Sequence, residues 1–236
     1  QYEHIIPQYV YLDGLFKYSQ SAPKKLLFIS LFASTHGDAI KIVHSEINNK
    51  IIISVGDYPI TTIDLLKEIK LIAILSDTDI NQNNREQIKG LAVKSLIKRN
   101  IKENELKRRN IHKYNKKQLN GLILNTSKKL GVDQEGLKQI LERNNLSYKE
   151  LINRFETDLK WNYMIFQIYK NKISLNTAEI ENKIQSKVES LKDNSNQSEI
   201  NLIKEQIINE EKEKKLKMFS NMHFSNLERS IQIKFL

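Results

Sequence analysis

Few side chains in this sequence are of a type and spacing that could do covalent chemistry. Asp77, Thr78, Asp79, Ile80 and Asn81 open like a calcium-binding loop. Such a loop needs glycine at its sixth position and a glutamate at its twelfth. Gln82 and Ile88 stand there instead, so the stretch is expected to be a plain polar loop. His4, His36, His44, His112 and His223 are isolated. None has a second ligand at the helical spacing that a zinc site uses. The chain has no cysteine, which excludes disulfides, thiolate metal sites and cysteine nucleophiles together. It has neither a Gly-x-Ser-x-Gly elbow nor a phosphate-cradling loop. Glu210 and Glu211 sit in a polar run and are expected to face solvent. The expectation is a protein that is not an enzyme and carries no cofactor and no metal.

What remains is chemistry of contact. Trp161, Tyr163, Met164, Phe166 and Tyr169 crowd one stretch, and Met218, Phe219, Met222 and Phe224 a second. Aromatic rings and flexible thioethers form either ordinary core or a surface that adapts to many partners. A helix that is apolar all round, as residues 161–169 would be, cannot be covered by one neighbour. Its side chains then meet several elements or stay available to an unfolded polypeptide. Residues 85–117 hold twelve Lys or Arg against Glu86, Glu103 and Glu105, a local excess of +9 in a chain of net charge +10. Such a stretch is either a solvated helix face or a source of long-range attraction, with Lys107, Arg108 and Arg109 as the steering group.

The elements that must position these groups are mostly helical. With 39% hydrophobic and 28% charged residues, only 7 Gly and 3 Pro, the composition fits a core with long solvated helices. Lys24 and Lys25 precede the apolar run 26–33, and Gly37, Asp38 and Ala39 follow. That is the layout of a secretory signal, so residues 1–39 are expected to be an upstream extension plus signal segment. Residues 40–63 read as extended chain, with Ile40, Ile42 and His44 alternating and Asn48-Asn49-Lys50 as a turn before the β-branched run 51–55. Thr62 is expected to cap a helix over 64–75. A second helix starts near Arg85, a third is capped by Asn115 and stopped by Gly131, and a fourth opens at Asp133. Ser147 and Glu150 have the spacing of a capping box ahead of a long helix striped by Leu151, Phe155 and Leu159. A further helix follows Asn176, with Ile180, Ile184, Val188 and Leu191 on one face. Residues 193–198 contain no apolar side chain and read as a flexible joint. The last helix, 199–228, has a wholly polar middle at 209–215, which predicts a crossing of open solvent. Residues 230–236 alternate as a strand that is expected to pair with 51–55.

The strand pair feeding a helix at 43–75, the helix succession 85–106 and 113–130 with Gly131-Val132-Asp133, and the passage from Asn144-Asn145-Leu146-Ser147 through Ile173 to Ile180 together resemble the SurA family of periplasmic chaperones. The resemblance covers about 190 residues in order. It implies a mainly α fold: a multi-helix chaperone core (40–192) completed, beyond the joint, by a C-terminal helix and strand (199–236), with a small β element pairing the N- and C-terminal strands. The family's prolyl-isomerase domain has no counterpart here, so the resemblance implies ATP-independent binding of unfolded outer-membrane proteins, or other polypeptide clients, without isomerase activity. It also implies a periplasmic location. A monomer or weak dimer is expected, with an anionic membrane surface as a further partner and no nucleic acid. The competing readings from the residues alone are a basic helical nucleic-acid-binding protein and an adaptor for one fixed partner.

Overall fold

The computed structural model describes residues 49–189 and 197–236. The expected signal segment and the alternation at Ile40, Ile42 and His44 lie outside the described residues. Three short strands, β1 (Ile51–Val55), β2 (Tyr58–Thr61) and β3 (Ile233–Phe235), form one antiparallel sheet in the order β2-β1-β3. Gly56, with φ of 56°, and Asp57 turn β1 into β2. Left-handed backbone of this kind is what a two-residue hairpin requires. At the other edge Ile53 faces Phe235, Ser54 faces Lys234 and Val55 faces Ile233. The end of the chain therefore lies beside its first described strand, as the alternation at 230–236 predicts. Both edges of β1 are thus filled, by β2 and by β3.

Thr61 leads into α1 (Thr62–Leu75). Its hydroxyl accepts from the Asp64 N–H while the Asp64 carboxylate accepts from the Thr61 N–H at 2.8 Å. The cap is therefore one residue earlier than expected, because Asp64, three residues on, completes a reciprocal box only with Thr61. Next come α2 (Arg85–Arg108), α3 (Lys116–Lys129), α4 (Gln134–Arg143) and α5 (Tyr148–Tyr169). Asn115 and Asp133 cap α3 and α4 through their side chains, and Gly131 follows α3 with φ of 68°. Ser147 is the N-cap of α5, but its side chain makes no capping bond. Glu150 turns away to Lys67 of α1 at 2.8 Å, so the predicted box is replaced by a bridge between helices.

After a 3-10 turn (Lys170–Lys172), α6 (Thr177–Glu189) packs along α7 (Gln197–Ser230). Gln197 and Ser198, assigned to the joint by composition, form the first turn of α7. The polar middle of α7 does not cross open solvent. Lys183 of α6 lies 3.0 Å from Glu211, and Asn209, Glu211, Lys212 and Glu213 are half-buried. Polar residues satisfy one another there across a helix pair.

The core is divided. One apolar cluster joins α1, α3, α4 and α5 through Leu71, Leu119, Leu137, Leu141, Leu151, Phe155 and Leu159. A second lies under the sheet, where Ile53, Val55 and Ile60 meet Leu96, Ile97 and Ile101 of α2, with Phe224 and Leu227 of α7 alongside. A third joins the end of α5 to Leu106 and Leu216, and a fourth sets Ile72 of α1 against Ile88 and Ala92 of α2. So α7 both returns the chain to the sheet and closes two clusters.

Candidate functional site

The two aromatic groups expected from sequence are brought together, and most of the first is interior. Trp161, 1% exposed, and Met164 and Tyr169 are buried, while Tyr163 and Phe166 are half-buried. The periodicity of α5 makes this happen. Its final turns are apolar on two sides, and α2 and α7 each cover one. Trp161 donates its indole N–H to the Ser220 hydroxyl at 2.8 Å and meets His223 and Phe224 edge-on. Tyr169 stacks on Phe219 with ring centroids 4.7 Å apart. Trp161, Met164 and Tyr169 therefore act as the seam that fastens α7, and have no free face for a client.

Polar groups complete the seam. The Tyr169 hydroxyl lies 3.0 Å from His223 Nδ1, and His223 Nε2 lies 3.4 Å from Glu105 Oε1. A carboxylate can only accept, so Nε2 carries a proton toward Glu105, and in the neutral ring Nδ1 accepts from the Tyr169 hydroxyl. Glu105 is buried and also accepts from Arg108 (2.7 and 2.8 Å) and from Arg109. Burial alone would raise its pKa. The hydrogen bonds from Arg108 and Arg109, with their charges, outweigh that and hold it down at about 2. Two of the three expected steering side chains are thus committed to an internal carboxylate. The third, Lys107, lies over the Tyr58 ring at 5.2 Å. Arg99 and Lys102 are likewise tied to Glu68 and Asp158. The local positive excess read from sequence is thus smaller at the surface than the residue count implies.

What α7 leaves outside is different. Its inward face carries Leu216, Phe219, Ser220, Phe224 and Leu227. One turn apart on the opposite side stand Met218, 52% exposed, and Met222, 46% exposed. Phe219 and Phe224 are half-buried in the seam, so of the second aromatic group only the two methionines face solvent. Residues 200, 203, 207 and 211 of α7 share that outer side at helical spacing. Lys183 meets Glu211 there, so Met218 and Met222 continue the side that α6 covers further up.

A polar cleft of about 240 Å³ lies between α1, α2 and α5. At its floor Glu68, 2% exposed, accepts from Arg154 at 2.7 Å and from Arg99 at 3.0 Å, and Arg154 also donates to Ser95. Burial raises the Glu68 pKa. The charges of Arg154 and Arg99 and hydrogen bonds from Ser95 and Arg99 more than reverse this, and the net direction is down. The buried charges of Glu68 and Arg154 answer one another with Arg99 at the cleft floor, which suits a structural joint. Sequence reasoning misses this joint and the His223 bridge, because partners 86 and 118 residues apart leave no local pattern.

Among the described residues no group of three His, Cys, Asp or Glu is placed to hold a metal ion, and no helix is long and apolar enough to cross a membrane. The loop after α1 is built by Asn side chains: Asn81 Oδ1 accepts from the Asn83 and Asn84 N–H groups, and Asn84 donates to the Asp79 carbonyl. No protein-family model matches this chain, and no curated protein matches it.

Proposed function

We propose that this chain is an ATP-independent chaperone that holds unfolded polypeptides, with outer-membrane proteins in the periplasm as its clients and no isomerase activity. The observation that carries the reading is the exposed pair Met218 and Met222 on a helix whose other face is locked by the Trp161 seam. A holdase must meet many sequences weakly. Unbranched, polarizable thioethers do so by re-packing, and a rigid support keeps that surface from collapsing into the core. Unfolded barrel strands offer alternating apolar side chains and free backbone groups, not one fixed motif. The return of β3 to β1 supports the same reading, since it makes the helical body that the family resemblance implies.

The test is dilution of an urea-unfolded outer-membrane β-barrel protein into buffer containing residues 40–236. Suppression of light scattering near equimolar ratio is expected, unchanged by nucleotide. No suppression at any ratio contradicts the reading. Salt-sensitive retention on nucleic acid without suppression would favour the nucleic-acid alternative.

A further inference from the structure

Among the described residues the sheet ends in an edge without a neighbour on its outer side. Gln232 accepts from the Gly56 N–H and Leu236 donates to the Ile52 carbonyl, so the backbone groups of 232 and 236 turn toward β1. Lys234, opposite Ser54, shares their parity. In an antiparallel ladder alternate residues turn their N–H and C=O groups to opposite sides. Those of Ile233 and Phe235 therefore point away from β1, onto an edge that no described strand occupies.

Two further observations say what suits this edge. Phe235, 70% exposed, lies opposite Ile53 and diagonal to the exposed Ile51 on one face, and exposed Leu236 lies on the other. A neighbouring strand could place alternate apolar side chains against this corner. Lys50 at the head of β1 and Lys234 in the middle of β3 are exposed, while the exposed carboxylate of Asp57 lies at the opposite end of the hairpin. A lysine on an edge strand opposes pairing with a second copy of itself, because two such lysines repel. The same lysine attracts an acidic strand.

We propose that the open edge of β3 takes an extended, acidic, alternately apolar polypeptide segment as an added strand, bonded to the backbone of Ile233 and Phe235. This rests on the client-binding reading for the class of ligand, and it assigns that ligand a second contact whose affinity comes from main-chain hydrogen bonds. Backbone bonding is indifferent to client sequence, while Phe235, Lys50 and Lys234 set a preference.

The probe is a fluorescein-labelled twelve-residue peptide that alternates aromatic and acidic residues, followed by anisotropy against the full chain. Phe235→Pro deletes the outward N–H and leaves the β1 ladder intact, since that ladder uses residues 232, 234 and 236. Phe235→Thr keeps the N–H and deletes the ring. Saturable binding to the wild type is expected, weakened about 10-fold or more by Phe235→Pro and clearly less by Phe235→Thr. The same peptide with its central amides N-methylated is expected to bind the wild type about 10-fold or more weakly. This arm decides the matter if Phe235→Pro does not keep the wild-type circular dichroism. Equal losses in the two variants, undiminished binding of the methylated peptide, or no binding to the wild type overturns the proposal. Light scattering run in parallel separates the two claims. Suppression with no backbone dependence sinks the edge and leaves the holdase, whereas absent suppression sinks the holdase.

Discussion

Two side chains that look ordinary in the sequence hold the molecule's most exacting positions. The hydroxyl of Ser220 is the acceptor for the indole N–H of Trp161. Replacing Ser220 with Ala leaves that buried donor unanswered, at a cost of about 1–3 kcal/mol. Urea unfolding followed by the emission of Trp161, the single tryptophan of the chain, measures it directly. Glu105 makes a second prediction. Its folded pKa, about 2, lies below the ordinary 4.5. A depressed carboxylate contributes stability that is complete above the unfolded value and disappears as pH falls through the folded one. The contribution of Glu105 is therefore lost between about pH 4.5 and pH 2. Glu105→Gln should be less stable than wild type at pH 7, and the gap between the two should narrow steadily over that window in urea titrations. A constant gap would refute the assignment. Neither residue announces itself in sequence: Glu105 sits in a helix where charge is common, and a serine among Phe, Met and Asn carries no period.

At the scale of elements, the punctuation was legible and the choice of partner was not. Asn115, Asp133 and Gly131 stand where local chemistry alone needs a cap or a left-handed residue, and the helices end there. Ser147 and Glu150 satisfy the same local rule and still do not form a box, because Lys67 offers the carboxylate a charged partner from another helix. The polar middle of α7 departs from the solvent crossing its sequence predicts for the related reason that α6 supplies matching charge. Gly136 gives a prediction of opposite sign to helix propensity. A Cβ at this position in the first turn of α4 would lie 2.8 Å from the Val132 Cβ and 3.2 Å from the Asp133 carboxylate that caps the helix. Propensity favours alanine over glycine by about 1 kcal/mol. The clash should override it, and Gly136→Ala should destabilise by about 1–3 kcal/mol in chemical denaturation. A stabilised variant would mean that the α4 entry is looser than described.

For the whole molecule, the consequential feature is that one helix does two jobs. Its inner face joins the sheet cluster to the end of α5, and its outer face carries Met218 and Met222 into solvent. The pairing of the last strand with β1 and the mainly helical body follow from alternation at 230–236 and from 3.6-residue stripes, so both are legible in the sequence, whereas the strand at Tyr58–Thr61 is not, because Pro59 and the preceding Gly56-Asp57 read as turn. Which of nine candidate side chains would be free is not legible either, since burial depends on how α2 and α7 divide the surface of α5. That division makes the functional claim local and testable. A photo-crosslinking amino acid is placed at position 218 or 222, with exposed Asn125 on α3 as the control site, and an unfolded outer-membrane protein is added before irradiation. Adducts from 218 and 222 to many client positions, with few from 125, are the result expected of a polypeptide holdase. Equal labelling from all three sites, or none from 218 and 222, would contradict it.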